Sequence, residues 1–456
     1  MGRLFGTDGV RGLANAELTP ELALSIAVAA AHVLREPHGP GGPDLHGRRP
    51  AAVVGRDGRA SGEMLEAAVV AGLTSAGADV LRAGVLPTPA VAHLTAEVGA
   101  DLGVVLSASH NPMPDNGIKL FARGGLKLPD AVEDEIELRI GEHWTRPTGA
   151  GVGRARDLPD AAERYTQHLL ATLPTKLDGL RVVVDCAHGA ASAVAPLVLS
   201  RAGAEVTALA AEPDGRNIND GVGSTHLDGL VAAVRGTGAD VGVAFDGDAD
   251  RCFIVDENGT TVSGDLLATL VAKNVLEKES GATIIYSAVC SKALPELVRR
   301  EGGKPIRTKA GHSIIKPQMR KNDAAFGGEH SGHFYFRDNY FADSGIIAML
   351  IVAELVARQD SPLSELLDPI DLYVRSGEIN SEVEDQSATL EGVENHYAER
   401  DGAEIDHLDG LTVGFGDWWF NLRPSNTEPL LRLNVEANDR ETMERERDEL
   451  LDLIRG

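Results

Sequence analysis

Residues 106–119, LSASHNPMPDNGIK, place Ser107, Ser109, His110 and Lys119 directly after the apolar run at 103–106. That run reads as a buried strand, and the Asn111-Pro112 step and the Asp-Asn-Gly at 115–117 read as turns. The chain therefore leaves a strand and presents Ser-x-Ser-His-Asn-Pro at its end. A second stretch, VGVAFDGDADRCFIVDENG at 241–259, alternates Asp246, Asp248 and Asp250 straight after another apolar strand. Three carboxylates this close repel one another unless a cation lies among them, and hard oxygen ligands select magnesium or calcium. A calcium EF-hand is a poor fit, because Arg251 stands where its loop needs glycine and strands replace the flanking helices. An exposed acidic turn is the plainer alternative.

Three further stretches carry polar chemistry. GGEHSGHFYF at 327–336 sets Glu329, His330, Ser331 and His333 between glycines and an aromatic strand. Without a helical His-Glu-x-x-His it suits hydrogen bonding to several hydroxyls better than zinc, or it is a plain turn. NLRPSNTEPLLR at 421–432 offers Arg423, Ser425, Asn426 and Thr427, a donor set suited to phosphate, although Pro-Ser-Asn is also an ordinary turn. LFGTDGVRGLAN at 4–15 is glycine-rich around Arg11 but lacks the P-loop and dinucleotide spacings, which argues against ATP or NAD.

The elements that must hold these loops recur along the chain. AAVVGRD (51–57), RVVVDCAHGAAS (181–192) and ATIIYSAVCS (282–291) are each a strand and turn followed by a helical pattern. This layout predicts three related α/β units with mixed, mostly parallel sheets. Thr19 before Pro20 caps a helix in the first unit. LTVGF, WWFNLR and LLRLNVEA, then a charged helix from about Asn438, predict a smaller C-terminal α+β unit. Glycine- and proline-rich boundaries divide the chain at 1–150, 151–257, 258–367 and 368–456, with a linker over 145–159 and a surface loop over 35–50.

Bulk properties narrow the partners. With 456 residues the chain exceeds one core, and a net charge of −26 disfavours nucleic acid and anionic membranes. An anionic small molecule stays compatible, since a local cluster of Arg, Lys and N–H groups can override the global field. Three cysteines far apart, without CxxC spacing, point to a reducing compartment without disulfides. No apolar signal core or membrane-length run is present, so a cytoplasmic protein, monomeric or homodimeric, is expected.

In their order, TDGVRG, SASHNPMPDNGIK, DGDADR, GEHSGH and RPSNTEP resemble the α-D-phosphohexomutase superfamily from end to end. The resemblance implies four domains around a central cleft and interconversion of hexose 6-phosphate and hexose 1-phosphate through a hexose 1,6-bisphosphate. It implies a phosphoserine at Ser109, directly before His-Asn-Pro, and a Mg2+ held by Asp246, Asp248, Asp250 and that serine. Lys119 is then the proton shuttle, its pKa lowered by Arg11 and Arg251, with His110 supporting the loop and His312 a second acid or base. Glu329, Ser331 and His330 would meet the sugar, and Arg423, Ser425, Asn426 and Thr427 its far phosphate. The first half is similar to bacterial phosphoglucosamine mutases, whereas KAGHS, GEHSGHFYFRD and Asn426 are similar to phosphomannomutase/phosphoglucomutase enzymes. Because the sugar loops lie in the second half, mannose or glucose phosphates are the expected substrates, with glucosamine phosphate the alternative and His330 the discriminating side chain. A non-catalytic sugar-phosphate binder and a phosphatase are the other classes; the intact serine and carboxylates disfavour the first and a distal phosphate site the second.

Overall fold

The computed structural model describes residues 3–6, 8–34, 48–359, 361–425 and 430–456; most of the expected 35–50 loop, and Asn426 and Thr427, lie outside them. Three units share one sheet plan. In the first, the successive strands are Ala51–Arg56, Asp79–Val85, Leu102–Leu106 and Asp115–Ala122. In the second they are Arg181–Asp185, Glu205–Leu209, Val241–Phe245 and Cys252–Asp256, and in the third Thr283–Ser287, Lys304–Thr308, Phe326–Gly328 and Phe334–Phe336. Each sheet runs in the order second, first, third, fourth, with three parallel strands and the fourth antiparallel to the third. The sequence layout of strand, turn and helix thus corresponds to a repeated architecture.

The consequence for chemistry is topological. In every unit the third strand enters the sheet core and turns back at its carboxyl end, the edge at which open α/β sheets bind ligands. Those turns are 107–114, 246–251 and 329–333, which hold the serine, aspartate and Glu-His-Ser-Gly-His residues. Leu102–Leu106 and Val241–Phe245 are buried throughout, as near-continuous apolar runs require when helices cover both faces.

Two boundaries differ from expectation. The supposed linker contributes the strand Ala155–Asp157, which pairs in parallel with Asp79–Val85, so the first sheet extends past residue 150. Likewise Thr261–Val262 closes the second sheet beyond 257. Thr19 does cap the helix Pro20–Val33, its Oγ1 accepting from Leu22 N at 3.2 Å. The C-terminal unit is an antiparallel sheet backed by the helices Gln386–Ala398 and Arg440–Arg455. Its core around Tyr397, Phe420 and Leu433 is separate from the apolar core that runs through the other three. Among the described residues no helix is long and apolar enough to cross a membrane.

A histidine pair stitches the units together. His93 of the helix Thr88–Glu97 stacks on His168 of the helix Ala161–Ala171 at 3.9 Å, and Tyr340 of the third unit tilts against His93. Burial, then the neighbouring His168, pushes the His93 pKa down to about 4, and burial lowers that of His168. Both rings therefore fold neutral, so their stability contribution is complete above the unfolded value of about 6.5 and is lost as pH falls toward 4. The melting temperature should drop between about pH 7 and about pH 5, and His93→Leu should flatten that drop. An equal slope in both proteins would remove the seam from the acid response.

Candidate active site

Ser109 adopts φ 52°, a left-handed conformation that costs a non-glycine residue energy unless neighbours enforce it. Here the enforcement is visible. Arg59, fully buried, donates through Nε to Asp57 Oδ2, through Nη1 to the Pro112 and Asp115 carbonyls, and through Nη2 to those of Ser109 and Asn111. All five guanidinium N–H groups thus find acceptors. From the second unit, Asn219 Nδ2 donates to the same Ser109 and Asn111 carbonyls at 2.9 and 3.0 Å. Ser107 serves the loop from within: its Oγ donates to Asp57 at 2.6 Å and accepts from Ser109 N at 2.9 Å. Ser109 Oγ is left facing the cleft, donating to Asp246 Oδ2 at 2.5 Å with Arg251 Nη2 and His110 Nδ1 each 3.3 Å away.

The aspartate loop meets the serine loop closely. A Cβ on Gly247 would lie 2.5 Å from the Ser109 carbonyl, so only glycine permits this approach. Asp246, Asp248 and Asp250 are buried and offer one oxygen each within 4.8 Å of one another. Four carboxylates, with Asp8, face three cations, Arg11, Lys119 and Arg251. Asp248 Oδ1 and Asp250 Oδ1 are buried without a hydrogen-bond partner. An excess of negative charge and orphaned oxygens are what a hard divalent cation would complete. Burial, then Asp250, raises the Asp246 pKa to about 7, while burial of Asp250 is outweighed by Lys119, His333 and Arg251 together, which lower its pKa.

Lys119 departs from expectation. Its ammonium contacts Asp8 at 2.6 Å, Asp248 at 2.7 Å and Asp250 at 3.0 Å. Burial opposes the charge, but Asp248, Asp250 and Asp8 together hold its pKa well above the ordinary lysine value. Arg11 acts in the expected direction and is overwhelmed; Arg11 itself bonds Asp8 and Asn111, and Arg251 bonds Asp246. His110 is depressed to about 3 by burial, then by Arg251 and Arg11, and stays neutral.

The third loop splits into two faces. Glu329, Ser331 and His333 line a cleft of about 510 Å³ together with Arg11, Ser109, His110, Arg251, His312, Arg423, Ser425 and Arg432. Glu329 accepts from Gly311 N at 2.7 Å and Ser331 Oγ at 2.9 Å, and against burial His333, His312 and the Gly311 N–H together lower its pKa to about 2. His330 does not line that cleft. Its Nδ1 lies 3.7 Å from buried Asp265, in a small cavity with Arg375 and Trp419 behind the loop. The reason is packing: Gly264 lets the His330 carbonyl approach so closely that a Cβ would sit 2.2 Å from it. The expectation of a His330 side chain beside the ring is therefore corrected. His312 opens the helix His312–Lys321, its Nδ1 3.2 Å from Asp343, and burial depresses it to about 4.

At the far end of the cleft Arg423 and Arg432 are direct partners on antiparallel strands, Trp418–Pro424 and Leu430–Ala437. Arg432 Nη2 donates to Ser425 Oγ at 3.4 Å. Arg432, Asp57, Arg59, Asn219, Asp8 and Thr88, whose Oγ1 donates to Asp248 at 2.5 Å, are residues around the site that motif reading alone did not single out. For Arg432 the signal is present, since two arginines nine residues apart around a turn suit a hairpin pair.

Family profiles described as Phosphoglucomutase/phosphomannomutase alpha/beta/alpha domains I, II and III match residues 2–145, 163–259 and 263–373, and its C-terminal domain matches 378–453. A phosphoglucosamine mutase of Saccharopolyspora erythraea is 53% identical over 459 residues, spanning 100% of this chain and 99% of that one. One from Streptomyces coelicolor is 49% identical over 96% of both. The crystal structure of a phosphoglucomutase/phosphomannomutase family protein from Burkholderia thailandensis superposes with a TM-score of 0.85 at 31% identity, covering 99% of this chain and 97% of that one. A serine, an acidic triad and paired arginines on one cleft agree with those matches: the chain belongs to the α-D-phosphohexomutases, isomerases that act as intramolecular phosphotransferases.

Proposed function

We propose that this phosphohexomutase interconverts glucosamine 6-phosphate and glucosamine 1-phosphate, replacing the expected preference for mannose or glucose phosphates. The observation that carries the sugar is end-to-end similarity at 53% and 49% identity to proteins named phosphoglucosamine mutases. Of the features held to favour mannose or glucose, one is weakened, because the His330 side chain lies beside Asp265 in a separate small cavity.

In the proposed cycle, phospho-Ser109 gives its phosphoryl group to the free hydroxyl of the sugar monophosphate. The products are a bare serine and a 1,6-bisphosphate, which turns in the cleft and returns its other phosphate to Ser109. Arg251 and Arg11 offset charge beside the serine, and Arg59 with Asn219 fixes the loop so that Oγ stays in line. Lys119, ion-paired with Asp8, Asp248 and Asp250, offsets charge beside the serine as the phosphoryl group moves. Glu329 and Ser331 orient sugar hydroxyls, and Arg423, Arg432 and Ser425 hold the phosphate not being transferred. Asp246, Asp248 and Asp250, with Ser109, would hold magnesium, which when bound supplies Lewis-acid stabilisation of the transferring group.

Side-by-side kcat/KM on glucosamine, mannose and glucose 6-phosphates tests the sugar. A strong preference for mannose or glucose would overturn the proposal and leave the family intact. Asp248→Asn should cut turnover by about two orders of magnitude or more and weaken magnesium activation. Full activity after EDTA treatment would refute the metal assignment.

A further inference from the structure

Two guanidiniums that await a phosphate are already sharing an anion. Arg423 Nη2 donates to Glu378 Oε2 at 2.9 Å, and Arg432 Nη1 lies 3.6 Å from Glu378 Oε1. The carboxylate bridges the cross-strand arginine pair much as two phosphate oxygens would, one oxygen to each guanidinium. Yet the arginines are incompletely satisfied: Arg423 Nε and Arg432 Nε are buried without partners. Glu378 belongs to neither of their strands. It lies between the strands Val374–Arg375 and Ile379–Glu382, directly after Gly377, whose φ is 70°. Its carboxylate is a quarter exposed, so it has somewhere to go.

We infer that Glu378 is a placeholder anion, occupying Arg423 and Arg432 in the free enzyme and yielding them when the substrate's phosphate arrives. The inference rests on the reading of these arginines as the distal phosphate site. A dianionic phosphate offers more charge and more acceptor oxygens than one carboxylate and can displace it, whereas a singly charged ligand gains little by the exchange. The arrangement also weakens the net grip on phosphate. That suits the proposed cycle, in which the bisphosphate must let go of this site, turn, and bind again by its other end. Burial opposes the charge of Glu378, but Arg423 and then Arg432 hold its pKa below the ordinary value, as the ion pairs require.

The test is competition by inorganic phosphate against the hexose phosphate the enzyme turns over, in wild type, Glu378→Gln, Glu378→Ala and Arg423→Met. Removing the competing carboxylate should tighten the inhibition constant about three- to tenfold in both Glu378 variants, with KM and kcat falling together as release slows. Arg423→Met should weaken phosphate inhibition. If Arg423→Met weakens it but both Glu378 variants weaken it too, or leave it unchanged, Glu378 is a fixed support for the arginines and the inference is wrong. If Arg423→Met has no effect, the phosphate site itself has been misassigned, whatever the Glu378 variants do.

Discussion

Ser109→Ala should lower mutase turnover by roughly four orders of magnitude or more while leaving the melting temperature nearly unchanged. The loss is expected to be this large because, among the described residues, no other hydroxyl occupies the place where Asp246, Arg251 and His110 converge. Ser107 cannot substitute. It is fully buried, its proton goes to Asp57, and its oxygen accepts from Ser109 N. Stability should hold because Asp246 Oδ2 keeps its bond from Arg251 Nε at 3.0 Å, so the net loss is one hydrogen bond, about 1 kcal/mol. Intact mass and peptide mapping of the wild type should place phosphate on Ser109, and the variant should carry none. Phosphate found on Ser107 alone would refute the assignment.

Arg59→Ala should damage both stability and activity. The guanidinium neutralises buried Asp57 and satisfies four loop carbonyls at once. Removing it strands a buried carboxylate, whose pKa burial already pushes up, among unpaired acceptors, at a cost of about 3–5 kcal/mol. The left-handed Ser109 would lose its principal restraint, so turnover should fall even at temperatures where the first unit remains folded. Arg59→Lys should rescue little, since an ammonium has three donors and lacks the planar fork. Scanning calorimetry on the whole chain, with activity measured well below the first transition, separates the two effects. Full activity in a folded Arg59→Lys protein would show that the loop holds its own shape.

Much of this molecule was legible in one dimension. The three strand-turn-helix runs depend on local apolar periodicity and on glycine and proline punctuation, which act within a few residues. The chemical loops were equally plain, because Ser-His-Asn-Pro and Asp-Gly-Asp-Ala-Asp each compress a reactive set into one turn. What separated expectation from outcome was each time a partner distant in sequence, within the unit or beyond it. Lys119 follows a loop that also holds Asp115, yet its charge state is decided by Asp8 from the N-terminal loop and by Asp248 and Asp250. His330 stands between two residues that face the cleft, and the close packing of its carbonyl on Gly264 turns its ring toward Asp265. Arg59 and Asn219 sit in ordinary-looking turns; Arg59 gains its role when its own unit folds the serine loop over it, and Asn219 when the second unit meets that loop. The sequence by itself determined the elements, the repeat and the reactive residue types, since these follow from local sterics and side-chain chemistry. Only the tertiary structure decided which charges face one another, because electrostatic partners and side-chain direction depend on distances that chain separation does not encode.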